Sequence, residues 1–122
     1  MTYIDTRVLF SSVGRRELEL IRQSGCRQFP PRPAHQPVLH PLLTEEHARR
    51  IARERHARDE SSGFAGFVLR FSVKSTFLEQ FAVEKGESCE ALEYRIPAER
   101  LPELNENIVG VIQMLADYYG QP

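Results

Sequence analysis

The sequence is poor in several residue types that would assign it to a specialised class. Of its 122 residues, none is tryptophan, two are cysteine, two are lysine and three are aspartate. Cys26 and Cys89 lack the paired spacing of a zinc ribbon or a redox motif, so we expect free thiols in a reducing compartment. No apolar run approaches the roughly 20 residues of a membrane span, and the first residues lack the basic start and apolar centre of a secretory signal. These absences predict a cytoplasmic protein with no membrane partner.

What the chain does contain is ordinary for one globular domain. Hydrophobic residues make up 41% of the sequence and charged residues 27%, and a chain of this length buries a core without metal or disulfide support. No internal repeat or low-complexity linker divides it. We therefore expect a single compact domain over residues 1–122.

Arginine dominates the positive charge and is concentrated in the first half of the chain. Residues 1–61 contain eleven arginines against eight acidic residues, whereas residues 62–122 contain five basic against nine acidic residues. From Glu45 to Glu60 the two signs are matched five to five, a pattern typical of a self-paired, solvated helix face. No stripe of basic and aromatic residues is present, so we expect no tight binding to nucleic acid.

Hydrophobic periodicity predicts a mixture of strands and helices. Alternating apolar residues indicate strands at 64–73 and 92–96, whose core positions would be Phe67, Leu69, Phe71, Tyr94 and Ile96. The same reasoning places shorter strands and helices elsewhere: strands at 8–10 and near 38–43, and helices at 14–24, 45–60, 75–81 and 98–105. The tail from Ile108 fits either a helix or a buried strand. Without regular strand–helix alternation, the fold class is α+β, with a split mixed or antiparallel sheet and flanking helices.

Two segments contain candidate chemistry. Residues 30–41 contain five prolines and two histidines before a threonine-capped helix, and restricted loops of this kind often shape a pocket. Glu93 lies within a predicted strand, where a carboxylate can bind a ribose hydroxyl and stabilise positive charge at an anomeric carbon. Glu90 would point to the opposite face. The alternative for Glu93 is a surface strand that exposes Glu93 and Arg95 to solvent.

Two other site classes are disfavoured by spacing. The four histidines and Cys26 do not recur at the intervals that converge on a metal, so we predict no metal site. The Pro-x-x-Pro run at 30–33 is similar to a peptide ligand for a polyproline-reading groove. Because it joins two apolar elements, we expect an ordered loop instead.

Several short stretches resemble a bacterial family. The stretches lie between Glu17 and Gly110, at 29–32, 36–37, 51–52, 62–64, 93–99 and 107–110, and they resemble short bacterial proteins labelled "ADP-ribosylation/crystallin". A looser likeness is to the ADP-ribosyltransferase-like fold, a split sheet that cradles NAD. Residues 39–48 look like its second-motif strand and helix, and Glu93 before Tyr94 looks like its catalytic-glutamate strand. Enzymes of that fold carry His or Arg near the end of the first strand, where residues 8–12 have neither and only Arg7 precedes them.

The resemblance implies a ligand related to NAD or ADP-ribose, or another nucleotide, in a cleft between residues 30–44 and the Glu93 strand. Arg32 would hold a phosphate or carboxylate, His40 and Thr44 would position a ribose, and Glu93 would be the catalytic carboxylate. Because residues 8–12 lack the His or Arg of that fold's first motif, there is a second hypothesis. The chain would then be a non-catalytic accessory or protein-interaction domain with an enzyme-like fold. An open pocket favours the first, and an exposed apolar patch beside a filled pocket favours the second.

Overall fold

Strands outnumber helices in the folded chain. The computed structural model describes residues 4–85 and 92–120, and all statements below concern those residues. The strands are β1 (Thr6–Val13), β2 (Val38–Leu39), β3 (Ala65–Lys74), β4 (Val83–Lys85), β5 (Leu92–Tyr94), β6 (Ile96–Pro97) and β7 (Ile108–Tyr119). The helices are α1 (Arg15–Gln23), α2 (Glu45–Glu54), α3 (Ser75–Leu78) and α4 (Leu101–Glu106), with 3₁₀ turns at His56–Arg58, Glu60–Ser62 and Ala98–Arg100. The predicted α+β class is confirmed.

The three long strands form one antiparallel sheet, and bridges made by Leu42 connect this sheet to the shorter strands. Strand β3 lies at the centre, between β1 and β7. On the other side of β1, Leu42 bridges Phe10 and also Glu93, which brings β5 and its partner β4 into line. Val38 pairs with Pro97, Leu39 with Ile96 and Leu42 with Glu93, so residues 38–42 and 93–97 run antiparallel in one constant register. The strand predicted near 38–43 therefore joins the two halves of the sheet.

One face of the sheet is a closed hydrophobic core. The odd-numbered residues of β3 from Phe67 to Val73 point into it and are at most 4% exposed. Helix α1 contributes Leu18 and Ile21, while α3 and α4 contribute the rest of the cover with Phe77, Leu78, Leu101 and Leu104. Tyr94 and Ile96 are also fully buried, so all five predicted core residues are confirmed.

The other face is covered by α2. This helix begins after Thr44 with Glu45 and Glu46, whose carboxylates suit the positive end of the helix dipole. Its small residues Ala48 and Ala52 are fully buried. A Cβ atom at Gly66 would lie 2.3 Å from the carbonyl oxygen of Ala52, so this glycine permits the close approach of α2 to β3. None of the described helices is long and apolar enough to span a membrane.

The structure corrects several boundaries. The helix predicted over 45–60 ends at Glu54 and continues as 3₁₀ turns, because Ala57 turns inward and is 4% exposed. The ambiguous tail is the twelve-residue strand β7, since it can pair along nearly the whole of β3. Val8 lies in the strand predicted at 8–10 but is 37% exposed, because it pairs with Ser72 on the sheet face that α2 covers only in part. Leu92, at the start of β5, is 47% exposed. Residues 85–88 have the composition of a turn, and all of them except Lys85 lie outside the described residues.

Candidate functional site

An open cleft of about 660 Å³ lies where the proline-rich loop, the end of α2 and the joined halves of the sheet meet. Its wall is formed by side chains from four separate stretches of the chain. They are Ser11, Ser12, Arg32, His35, Gln36, Pro37, Val38, His40, Leu42, Ile51, Arg55, His56, Glu93 and Arg95. The cleft therefore includes side chains of the proline-rich loop and of the Glu93 strand.

The strand register explains why the polar residues of the cleft converge. Leu42 exchanges two backbone hydrogen bonds with Phe10, at 2.7 and 2.8 Å, and bridges Glu93 on its other side. Directly paired residues of antiparallel strands project to the same face, as do residues two apart along a strand. Continuing both pairings by two residues places Ser12, His40 and Arg95 in a row on that face. This row is polar. The neighbouring row, formed by Phe10, Leu42 and Glu93, contains two apolar residues.

Glu93 is the deepest charged group of the cleft. Only 7% of the residue is exposed, and it is the one charged residue among the buried residues that the structure describes. Its Oε2 is in hydrogen-bond contact with His40 Nδ1, and the His40 side chain is 49% exposed. A buried carboxylate requires a partner to offset its desolvation. The solvent-facing alternative for Glu93 is wrong, because Leu42 pairs with this strand and draws it into the sheet.

Arg32 is held inside the cleft by two polar neighbours. Its Nη2 donates to Gln36 Oε1 at 3.0 Å, and its Nη1 lies 3.9 Å from Glu17 Oε2. Burial raises the pKa of Glu17, and the positive charge of Arg32 partly opposes this shift. The Arg32 Nε is buried without a hydrogen-bond partner among the described residues. Arg32 therefore keeps hydrogen-bonding capacity that its present neighbours do not use.

Two further arginines add positive charge. The guanidinium of Arg55 makes no hydrogen bond or ion pair within the described part of the chain. Arg95 donates to the Lys85 carbonyl at 3.4 Å, and its Nε lies 3.4 Å from Glu84 Oε2 at an angle that makes no hydrogen bond. Against these three guanidinium groups, Glu93 is the only carboxylate that the described residues contribute to the wall of the cleft. The cleft suits a negatively charged ligand with a polar group that reaches Glu93.

The Ser12 hydroxyl and the His56 imidazole form a second pair of contacting side chains in the same cleft. Ser12 Oγ lies 2.6 Å from His56 Nδ1. Burial lowers the pKa of His56, the nearby charges of Arg55 and Arg32 lower it further, and Asp59 opposes the shift. The imidazole is therefore neutral at neutral pH, and Nδ1 can accept a hydrogen bond from the Ser12 hydroxyl.

The structure brings together three of the four residues singled out in the sequence. Arg32, His40 and Glu93 all line the cleft. Thr44 is absent from the wall; it precedes α2, and its hydroxyl contacts His47 Nδ1. Arg7, the one basic residue of β1, donates to the Tyr94 hydroxyl at 2.5 Å on the opposite face of the sheet. No basic side chain of β1 therefore reaches the cleft.

Sequence reasoning missed Ser12, Arg55, His56 and Arg95 as parts of one site. Ser12 and His56 are 44 positions apart and neither belongs to a recognisable motif. The available signal was indirect: Arg55 and His56 lie within the helix predicted over 45–60, and a break after Glu54 would have turned them toward the sheet.

The metal-ligating residues and the cysteines are the other candidates for chemistry. Among residues 4–85 and 92–120, no three His, Cys, Asp or Glu side chains are arranged to hold a metal ion. Cys26 is a partly exposed free thiol, while Cys89 and Glu90 lie outside the described residues.

Comparisons of the chain with protein-family models, curated proteins and solved structures find no match. What can be inferred about function therefore depends on the geometry of the cleft.

Proposed function

We propose that the cleft binds a nucleotide-like ligand that joins a negatively charged phosphate to a ribose, of the ADP-ribose or NAD class. One observation carries the proposal: a buried carboxylate, Glu93, lies in a cleft whose other charged side chains are basic. Such a site offers two different chemistries to one ligand. The likeness of residues 39–48 and 93–97 to the ADP-ribosyltransferase-like fold points to the same class of ligand.

The arginines suit the phosphate. A guanidinium presents its donors in a planar fork that matches two phosphate oxygens, and hydrogen bonds between charged groups are stronger than neutral ones. Arg32 lines the cleft, and the guanidinium of Arg55 is unpaired within the described residues. These two groups would hold the phosphate.

Glu93 and His40 suit the ribose. A carboxylate can accept hydrogen bonds from ribose hydroxyls, and His40 fixes the position of Glu93 through Oε2. If the ligand contains a glycosidic bond, the same carboxylate would stabilise the positive charge that develops at the anomeric carbon. Glu93 would then be the catalytic residue, with His40 positioning it.

Titration calorimetry with ADP-ribose, NAD, AMP and inorganic phosphate tests the proposal. We expect binding of at least one phosphate-containing ligand, and at 100 times its Kd a stabilisation of about 2.7 kcal/mol in a parallel thermal melt. Glu93→Gln and Arg55→Gln should each weaken binding by about 10- to 100-fold, the effect of losing a hydrogen bond to a charged group.

Two variants outside the cleft provide matched controls. Arg53→Gln changes an exposed arginine of α2, and Glu99→Gln changes an exposed glutamate near the start of α4. Both should bind as the original protein does. No heat and no change in melting temperature with any of the four ligands at millimolar concentration would contradict the proposal.

A second candidate function is a protein-interaction domain. It is favoured by exposed apolar residues on the edge strand β7, where Val109, Val111 and Met114 are 37–46% exposed. Sedimentation of the protein with Val111→Lys as control tests self-association through this strand. A monomer at all concentrations would count against that form of interaction, and the open cleft favours the ligand-binding function.

A further inference from the structure

We propose that Ser12 is a nucleophile and His56 its general base, and that together they hydrolyse a carboxylic ester carried by an anionic ligand in the cleft. The substrate class rests on the proposed function, since it takes the anionic part of the ligand from that proposal. The nucleophile itself rests on independent observations: the contact of the two side chains, the electrostatics around His56 and the register of β1.

The contact between Ser12 and His56 has the geometry of an activated serine. The distance of 2.6 Å between Oγ and Nδ1 lies at the short end of the range expected for a serine and its base. The two residues come from β1 and from the 3₁₀ turn after α2, so the tertiary fold brings them together. His56 has no second side-chain hydrogen bond among the described residues, so Ser12 is its partner.

A second hydroxyl–imidazole pair provides an internal comparison. Thr44 and His47 also meet through Nδ1, but they are three residues apart at the start of α2 and neither lines the cleft. That pair follows from local helix geometry. Ser12 and His56, in contrast, both line a cleft large enough for a substrate.

The surroundings of His56 suit a general base. Its imidazole is neutral at neutral pH, because burial and the charges of Arg55 and Arg32 disfavour the protonated ring more than Asp59 favours it. A neutral ring that accepts a hydrogen bond at Nδ1 has its proton on Nε2, so Nδ1 is free to take the proton of Ser12.

Positive charge beside the pair suits an ester of an anionic ligand. Arg55 precedes His56 in the chain, and Arg32 is close enough to affect its titration. Cationic groups in a partly buried site favour negative charge that develops on a carbonyl oxygen. By the register of the strands, Ser12 also lies on the same sheet face as His40 and Arg95. A ligand anchored near Glu93 could thus present an acyl group to Ser12.

The reaction needs no co-reactant other than water. Ser12 Oγ forms a bond to the carbonyl carbon as its proton moves to His56 Nδ1, and the ester C–O bond breaks as that proton passes to the departing alcohol. A water molecule then gives a proton to His56 and attacks the acyl carbon. Ser12 Oγ leaves and recovers the proton, and the products are an alcohol and a carboxylic acid.

Labelling with a fluorophosphonate probe tests the nucleophile without any substrate. We expect the intact protein to be modified on Ser12, as mapped by mass spectrometry of its peptides. Ser12→Ala should abolish this label, and His56→Asn should slow it by about 100-fold or more, the range for losing a general base. The controls are Ser72→Ala, on the neighbouring strand, and His47→Asn, from the local pair; both should label at the original rate.

The outcomes separate the two proposals. Modification elsewhere, or an equal rate in His56→Asn, would overturn the nucleophile even if the calorimetric experiments show binding. Mapping on the unaltered protein keeps this test valid if a variant fails to fold. Protection of Ser12 by ADP-ribose or AMP would support an anionic substrate. Labelling of Ser12 without binding of any phosphate-containing ligand would overturn the substrate class and leave the nucleophile supported.

Discussion

The two faces of the sheet are covered to different extents, although the same strands supply both. Helices α1, α3 and α4, together with Phe29, close one face into a core of fully buried residues. A single ten-residue helix, α2, covers the other face and buries a smaller cluster around Val68. Six strand segments at about 4.8 Å spacing are roughly 24 Å wide, and one helix covers only about 10 Å of that width. The uncovered part of the second face is where the cleft forms.

This difference shows how one sheet can both stabilise a fold and present a site. On the closed face, alternate residues of β3 are apolar and inaccessible to solvent. On the partly open face, four of the strand residues that line the cleft are polar: Ser12, His40, Glu93 and Arg95. Breaking the closed face should therefore unfold the protein, whereas changes on the open face should alter ligand binding with smaller effects on stability.

The largest effect is expected from a truncation on the closed face. Leu69 is 1% exposed at the centre of β3, so Leu69→Ala should lower the free energy of unfolding by about 2–5 kcal/mol, measured by denaturant melting. Arg70→Ala, the next residue along the strand, is exposed on the other face and should change stability by no more than about 0.5 kcal/mol. Equal losses in the two variants would show that the faces are not distinct.

An intermediate effect is expected where α2 meets the sheet. Gly66→Ala places a methyl group 2.3 Å from the Ala52 carbonyl oxygen, which the backbone cannot accept without moving. The free energy of unfolding should fall by about 1–3 kcal/mol. Because α2 and the turn after it carry Ile51 and Arg55, we also expect weaker binding of the ligand found by calorimetry.

Ser72→Ala is the control for that prediction. Ser72 lies on the same strand and face, and is partly exposed beyond the end of the helix. It should leave both stability and binding unchanged. A stable Gly66→Ala variant with unchanged binding would mean that the close approach of α2 does not shape the cleft.

The smallest effect is expected from acidification of the open face, since it involves one imidazole. The pKa of His56 is lowered in the folded state, mainly by burial, so the unfolded chain binds a proton that the folded chain does not. Stability should therefore fall as the pH decreases through about 6.5, the value for an unfolded histidine. Urea melting at pH 7.5 and 5.5 measures this loss, which should be smaller in His56→Asn.

The comparison between variants separates His56 from Glu17. Burial raises the pKa of Glu17, so protonation of this carboxyl stabilises the folded protein as the pH falls. This effect has the opposite sign to that of His56. The original protein and the His56→Asn variant both contain Glu17, so its contribution cancels when their two changes in stability are subtracted. Ser72→Ala, which removes no titratable group, should show the same pH dependence as the original protein. An identical loss in His56→Asn would contradict the burial of a neutral His56.

Much of the fold could be predicted because its signals are local. The alternation from Phe67 to Val73 indicates a strand with one apolar face, and Gly14 and Ser24 flank α1 as the sequence suggests. The expectation of Arg32, His40 and Glu93 in one cleft came from the resemblance of the segments that contain them, and all three line the cleft. In contrast, β7 was ambiguous because its apolar spacing suits both a helix and a strand, and pairing with β3 decided between them.

By itself, the sequence determined the α+β class and the core residues of the main strands. Periodicity and capping are properties of neighbouring residues, so they can be recognised without knowledge of distant contacts. Only the tertiary structure decided the burial of Glu93 and the meeting of Ser12 with His56. The burial of Glu93 depends on Leu42, which pairs with Phe10 and Glu93 at once and so fixes the register between segments far apart in the chain. The meeting of Ser12 with His56 depends instead on the packing of α2 and the turn after it against β1 and β3.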